Sequence, residues 1–599
     1  MKQETMHNQL ELLNREIITK QHSQQVEPAN QPERAAAGEQ AAKQDWRRSV
    51  VYQIYPKSFK NSGSGATGDL KGITMKLDYL HKLGVDYIWI TPIYKSPQHD
   101  NGYDVSDYYA IDESYGTMED FERLVMEAKA RGIGIMLDIV VNHSSTEHEW
   151  FQAAITDPKS PYRGYYIWRD EPNHWESKFG GSAWEKDEAS GQYYLHLFDK
   201  TQADLNWENE ELRQEIYSMM RFWVEKGVSG FRLDVINLIS KDQRFPDEIR
   251  EDGSYGDGRK CYTDGPRIHD MLQEMNREVF QGTDLLTVGE MSSTSIDHCV
   301  KYSNPDRQEL SMTFSFHHLK VDYPNGAKWV KADFDFEQLK RIMSDWQVGM
   351  HAGGGWNALF WCNHDQPRIV SRFGDDGEYR ERSAKMMATS LHMLQGTPYI
   401  YQGEEIGMTN PHFNEIDQYR DVETLNMYRL YREEGRTHEE LMDAIKQKSR
   451  DNSRTLMQWD DSIHAGFTEG EPWIEAAPNY KHIHVKEALS REDSVFYYYQ
   501  LLIQLRHELG VVTEGRYERI DQADPQVWAY ARTTEQDALL VLCNYYGTEA
   551  SFDMPEELKA RFKGWRSRIL IHNCQGASES WTSRISLRPY ESIVYYLER

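Results

Sequence analysis

Acids, histidines and one arginine stand at the ends of short apolar runs in this chain, where they suit proton-transfer chemistry. The run Gly230-Phe231-Arg232-Leu233-Asp234-Val235-Ile236 is apolar apart from one Arg and one Asp. In an extended strand, Arg232 and Asp234 point the same way. Opposite charges on one buried face need each other, or need chemistry, to offset their desolvation. Taken alone, such a pair is more often a structural ion pair. Other runs end in a similar way. They lead into Asp138-Ile-Val-Val-Asn142-His143, Val288-Gly289-Glu290 and Asn363-His364-Asp365. An earlier one passes through Thr91-Pro92 to Asp100-Asn-Gly-Tyr103-Asp104. Each has a plain explanation by itself, since a carboxylate after a strand often caps a helix and a lone His is usually a core residue. A shared rim would gather three carboxylates, two His and an Arg.

Glycoside hydrolysis needs two carboxylates that flank the scissile bond. One must be ionised, and the other must hold a proton near neutral pH. Arg232 is expected to keep Asp234 ionised, because a nearby cation lowers a carboxylate's pKa. Glu290 follows an apolar run and sits among other acids, which should raise its pKa as a general acid requires. Asp365, beside His364, would be a third anion to hold sugar hydroxyls and stabilise positive charge.

Alternating elements would position these groups. Strand candidates are 50–54, 87–90, 133–141, 230–236, 285–290, 311–316, 358–362 and 398–401, mostly with helical stretches between, such as 118–130 and 212–226. Alternation of this kind predicts a parallel α/β domain. Eight units suit a (β/α)8 TIM barrel, whose catalytic groups sit at the C-terminal strand ends. About 65 residues after the third strand lack a long helical pattern and are rich in aromatics, Gly and turn formers, which reads as a small inserted domain. From about residue 520, short β-type runs predict a C-terminal antiparallel β-sandwich. The expected division is a tail at 1–45, a barrel at 46–143 and 209–519, an inserted subdomain at 144–208 and a sandwich at 520–599. The tail is rich in Gln, Glu, Ala and Asn, too polar for a core, and is expected to be disordered.

Composition narrows the partners. The 599 residues carry a formal net charge of -28, which argues against nucleic acid or an anionic membrane. An anionic substrate would then need a local group of cations. Five scattered cysteines without a C-x-x-C pair favour a reducing compartment and no zinc site. No apolar run approaches the length of a membrane span and no signal peptide is evident, so the cytoplasm is the default. No cofactor and no protein partner are expected.

The segments DIVVNH (138–143), GFRLDVI (230–236), GE (289–290) and NHD (363–365) resemble, in order and spacing, the α-amylase superfamily of retaining glycoside hydrolases. The resemblance covers nearly everything from residue 47 onward. It implies Asp234 as nucleophile, Glu290 as acid/base and Asp365 as transition-state stabiliser, with His143, Arg232 and His364 as subsite residues. VVYQIYPKSF, DNGYD (100–104) and KSRDNSRTLMQW (448–459) are similar to the oligo-1,6-glucosidase branch. By that likeness Asp100 and Arg450 close the pocket around one glucose, Tyr103 stacks on it, and Arg454 is a weaker candidate for the same wall. A closed end implies exo action.

Further segments, among them VINLISKDQRFP (235–246) and MTFSFHHLKVDYPNG (312–326), resemble members of the branch that act on a small-molecule phosphorylated disaccharide. They imply hydrolysis of α,α-trehalose 6-phosphate to glucose and glucose 6-phosphate. His317, His318, Lys320 and Lys328 would supply the phosphate site, with Lys241 and Arg244 as second candidates. An oligo-1,6-glucosidase or sucrose-isomerising enzyme acting on neutral sugars is the near rival. A non-catalytic sugar-binding relative is the remote one. The branch often has an acidic cation-binding loop after the first strand. Here that loop, 61–69, has Asp69 as its one acid, so no strong Ca²⁺ site is expected and Asp69 is assigned a local turn role.

Overall fold

Eight short strands, alternating with helices, close into a parallel ring. In the computed structural model, which describes residues 45–521 and 523–599, the strands are β1 Val51–Ile54, β2 Tyr87–Ile90, β3 Gly134–Ile139, β4 Gly230–Leu233, β5 Leu286–Glu290, β6 Met312–Phe314, β7 Ala358–Leu359 and β8 Thr397–Tyr401. Their hydrogen-bonded order is β6-β5-β4-β3-β2-β1-β8-β7. A parallel bridge between Thr313 and Asn357 brings β7 back to β6 and nearly completes a (β/α)8 barrel. Both faces of β1 and β4 are buried, which is why they read as apolar runs. The tail expected at 1–45 lies outside the described residues apart from Asp45, which caps the turn Trp46–Arg48.

The outer helices follow from ordinary signals. α1 (Leu77–Leu83) stops at Gly84, whose φ of 97° suits a residue without Cβ. α2 (Met118–Ala130) opens with a capping box from Thr117 and Asp120 and buries Phe121, Leu124, Val125 and Ala128 on one face. α3 (Glu210–Glu225), α4 (Ile268–Met275), α5 (Ile296–Ser303), α6 (Phe336–Gly353) and α7 (Arg380–His392) continue the ring. Beyond β8 the chain makes α8 (Val422–Glu433) and α9 (His438–Lys448) before α10 (Val495–Glu508). The α8–α9 excursion has no counterpart in the sequence reading.

β4 is shorter than the expected 230–236. It ends at Leu233, because Val235 adopts a left-handed conformation, φ 35° and ψ 39°, that leads into the turn Ile236–Leu238. A β-branched residue at positive φ is a strained exception that its surroundings must enforce. Asp234 still keeps the sheet pattern, its N–H donating to the Ile139 carbonyl at 2.9 Å.

Between β3 and α3 lie a helix, Glu149–Thr156, and a three-stranded antiparallel sheet of Trp168–Arg169, Trp184–Lys186 and Tyr193–Leu195. At the far end, β9 (Arg516–Arg519), β10 (Val527–Thr533), β11 (Asp537–Asn544), β12 (Ala550–Phe552), β13 (Arg566–His572), β14 (Ile585–Leu587) and β15 (Ser592–Glu598) form two sheets. Their orders are β9-β10-β11-β15-β13 and β12-β14. Val527, Ala529 and Ala531 share a core with Phe552, Ile585 and Leu587, while Trp528 and Tyr530 belong to the barrel's core. Period-two alternation thus buries both sides of β10. Among the described residues no helix is long and apolar enough to cross a membrane.

Candidate active site

The strand ends converge. Asp100, Tyr103, His143, Asp234, Glu290, Asp365 and Arg450 line one pocket of about 330 Å³ at the C-terminal rim of the barrel. Arg232 lies behind them, almost wholly buried, and donates to three carboxylates: Asp138 at 2.7 Å, Asp234 at 2.6 Å and Glu290 by a short contact. The Val235 N–H also donates to Glu290 at 3.3 Å, so the left-handed turn after Asp234 reaches toward the second acid.

This sharing changes the expected electrostatics. Arg232 was expected to hold Asp234 ionised, but its charge is divided among three acids. Burial prevails at each: it pushes Asp234 up to about 7 and Glu290 up to about 8, with Arg232 opposing the rise. Asp138 rises to about 6 for the same reason. Asp234 and Glu290 are close enough to share a hydrogen bond. Asp234 is the more acidic of the two because Glu290 lies higher, not because Arg232 holds Asp234 low.

Asp365 differs from both. Burial would raise it, but His364, Arg450 and Arg454 outweigh that and hold it well below the usual carboxylate range. Burial drops His364 itself to about 3, so near neutral pH the guanidiniums carry the effect. Arg454 donates to Asp365 at 2.6 Å and Arg450 at 3.4 Å. Arg454 and His364 thus support the pocket from behind. His364 lies flat against the Tyr103 ring and meets its hydroxyl at 2.7 Å.

Arg450 lines the pocket beside Asp100 and donates to it at 3.2 Å. Gln202 donates to Asp100 at 3.2 Å and meets His143 at the same distance. Sequence reasoning missed the residue that aims Arg450. Asp421, wholly buried at the start of α8, pairs with Arg450 at 2.6 Å and Arg454 at 3.5 Å.

The outer end is less as expected. Lys320 lines the pocket, but His317 does not; its ring packs on Trp346 at 5.4 Å. His318 is buried against the Phe360 carbonyl. Lys328 reaches the pocket, yet both oxygens of Glu423 accept from it at 2.7 Å, so its charge is matched. Lys241 is buried on Asp204 at 3.0 Å, and Arg244 is an exposed partner of Asp242. The cations that do join Lys320 are Lys178, from the insertion after β3, and Arg259, from the segment after β4, which also pairs with Asp257 at 2.9 Å. Burial, with Arg259 and Lys320 facing it, drops the Lys178 amine to about 8. Among the described residues, Lys178 and Lys320 make no ion pair. Neither Lys178 nor Arg259 sits in a periodic pattern, so no sequence signal marked them.

In the loop after β1, Asp69 accepts from the Gly72 N–H at 2.6 Å as a helix cap, and from the Ser62 N–H at 3.0 Å. Its oxygens are committed to the turn.

Comparison with known proteins follows the same lines. Residues 53–515 match the family model for the alpha amylase catalytic domain, and residues 527–594 that for the alpha-amylase SusG C-terminal domain. A trehalose-6-phosphate hydrolase of Bacillus subtilis is 60% identical over 560 residues, 92% of this chain and 98% of that one. A trehalose-6-phosphate hydrolase of Escherichia coli is 54% identical over 560 residues, 92% of this chain and 99% of that one. The crystal structure of Bacillus licheniformis trehalose-6-phosphate hydrolase is similar with a TM-score of 0.89 at 58% identity, covering 92% of this chain and 100% of that one.

Proposed function

The chain belongs to the α-amylase family of glycoside hydrolases, and from that premise we propose that it hydrolyses α,α-trehalose 6-phosphate to glucose and glucose 6-phosphate. The observation that carries this reading is the pocket's polarity. The acids share the pocket with Lys178 and Lys320, neither in an ion pair among the described residues, and with Arg259, which Asp257 meets at 2.9 Å, in a chain of net charge -28. Cations facing each other repel unless an anion comes between them, and a phosphate dianion fits that need.

Glucose fills the closed end, with Asp100 and Arg450 on its hydroxyls. Asp234 attacks the anomeric carbon while Glu290 protonates the bridging oxygen. Glucose 6-phosphate departs with its phosphate against Lys178 and Lys320. Glu290 then takes a proton from water, whose oxygen bonds the anomeric carbon and displaces the Asp234 carboxylate, and glucose leaves with retained α configuration. Retention needs carboxyl groups about 5–5.5 Å apart. One guanidinium spanning Asp234 and Glu290 supports that short separation. Asp365 stays ionised throughout and opposes the positive charge that builds on the ring. A phosphorylated sugar does not cross membranes unaided, and the five cysteines are all free thiols, so we place the reaction in the cytoplasm.

Product analysis with trehalose 6-phosphate, plain trehalose, isomaltose and sucrose tests the reading. Turnover should favour the phosphorylated sugar by about 10²-fold or more, the scale of two charge-assisted contacts. Lys178→Ala with Lys320→Ala should remove most of that preference and spare a neutral aryl α-glucoside. Lys328→Ala should change it little. Preferred turnover of isomaltose or sucrose would assign the pocket to the neutral-sugar rival. Asp234→Asn should abolish turnover of every substrate and leave the fold intact.

A further inference from the structure

Asn237 is wholly buried and does not line the pocket. It stands three residues beyond Asp234, inside the turn Ile236–Leu238. Its side-chain amide forms a closed pair with Ser292. The Ser292 N–H donates to Asn237 Oδ1 at 2.9 Å, and Asn237 Nδ2 donates to the Ser292 carbonyl at 2.9 Å. Nδ2 also donates to Asp264 Oδ1 at 2.9 Å, and the Asn237 carbonyl accepts from the Asp264 N–H at 3.0 Å. Asp264 is held in turn by the Tyr302 hydroxyl at 2.6 Å and by His298 at 2.9 Å, both on α5. Ser292 follows Glu290 by two residues, and its Oγ accepts from Lys178 at 3.1 Å.

One amide therefore ties the segment after β4 to the segment after β5. Both segments leave the sheet irregularly, with Val235 at φ 35° and Ser293 at φ 54°, so regular sheet bonding does not fix their spacing. The position needs one acceptor and two donors on a short rigid stem, which only an asparagine-like amide supplies. A carboxylate there would face Asp264, and a hydroxyl would lack a donor.

We propose that Asn237 is a positioning residue for the acid step: it sets where Glu290 stands relative to Asp234. This rests on the reading of Asp234 and Glu290 as the reacting pair.

The test uses the full chain and a series of aryl α-glucosides whose phenols span a range of acidity, with kcat/KM as the readout. An acidic phenol leaves without help, whereas a weakly acidic one needs the proton of Glu290. Asn237→Ala should lose about 10- to 100-fold on the weakly acidic phenols and on trehalose 6-phosphate, within the range of general-acid catalysis, and about threefold or less on the most acidic phenol. The dependence on leaving group should steepen accordingly. Asn237→Asp should behave likewise, and adding Asp264→Asn should recover part of the loss, because the donor and acceptor at the two positions are exchanged. Equal losses across the series, or none, would overturn the proposal. Where Asn237→Ala does not fold, the isosteric Asn237→Asp gives the same reading. Asp234→Asn serves as the separate control. Activity in that variant would sink the reacting pair itself, while an inactive Asp234→Asn beside unaltered Asn237 slopes would sink the positioning role alone.

Discussion

Arg232 donates to three carboxylates, and burial lifts all three despite it. With Asp234 near 7 and Glu290 near 8, the active form has the first ionised and the second protonated. The pH profile of kcat/KM should be a narrow bell that rises through about 7 and falls through about 8. Stability should respond as well. Both carboxyls sit above their unfolded values near 4, so the folded chain binds these protons more tightly than the unfolded one. The stability they contribute is full below about pH 4 and is lost as pH rises through 7 and 8. Thermal melts should therefore show Tm falling between about pH 4 and 8, and Asp234→Asn should blunt that fall. Acids of this kind are legible in sequence because a lone charge at the end of an apolar run stands out. Lys178 and Arg259 are not, because irregular loops gave them no pattern, and only folding brings them beside Lys320.

At the scale of elements, the excursion after β8 contributes most that is new. Asp421 accepts from the Thr424 N–H at 3.0 Å and so caps α8, while its other oxygen holds Arg450. Burial would raise this carboxyl, but Arg450 and Arg454 outweigh it and keep it charged. Asp421→Ala removes a cap worth about 1 kcal/mol and one charge-assisted partner of Arg450, worth about 1.5–3 kcal/mol, while Asp100 and Asp365 still face that guanidinium. Denaturant unfolding should show a loss on that order, and KM should rise for every substrate because Arg450 no longer faces Asp100 squarely. An Asp just before a helical stretch is a readable cap signal. Its second task was hidden, since the partner arginines lie some thirty residues along the chain in a short irregular segment. The eight barrel strands were readable because each is an apolar run. The end of β4 was not, because positive φ at a valine runs against local preference.

The whole molecule is a barrel braced from one side. The five-stranded C-terminal sheet sets Tyr530 and Tyr545 against α7, where Ser390 accepts from them at 2.9 and 2.7 Å. Trp528, fully buried beside them, packs near both rings. Trp528→Ala should cost about 3–5 kcal/mol, read as a lower Tm, and leave kcat at 25 °C nearly unchanged because Trp528 does not line the pocket. In the proposed mechanism Asp100 and Arg450, joined at 3.2 Å, hold glucose at the inner end of the pocket. That geometry imposes a queue. The phosphorylated half must go out before water can come in, and the free hexose must wait until last. Glucose should then compete with substrate in product-inhibition kinetics, while glucose 6-phosphate should give a mixed pattern and should also be able to take the glucosyl group back.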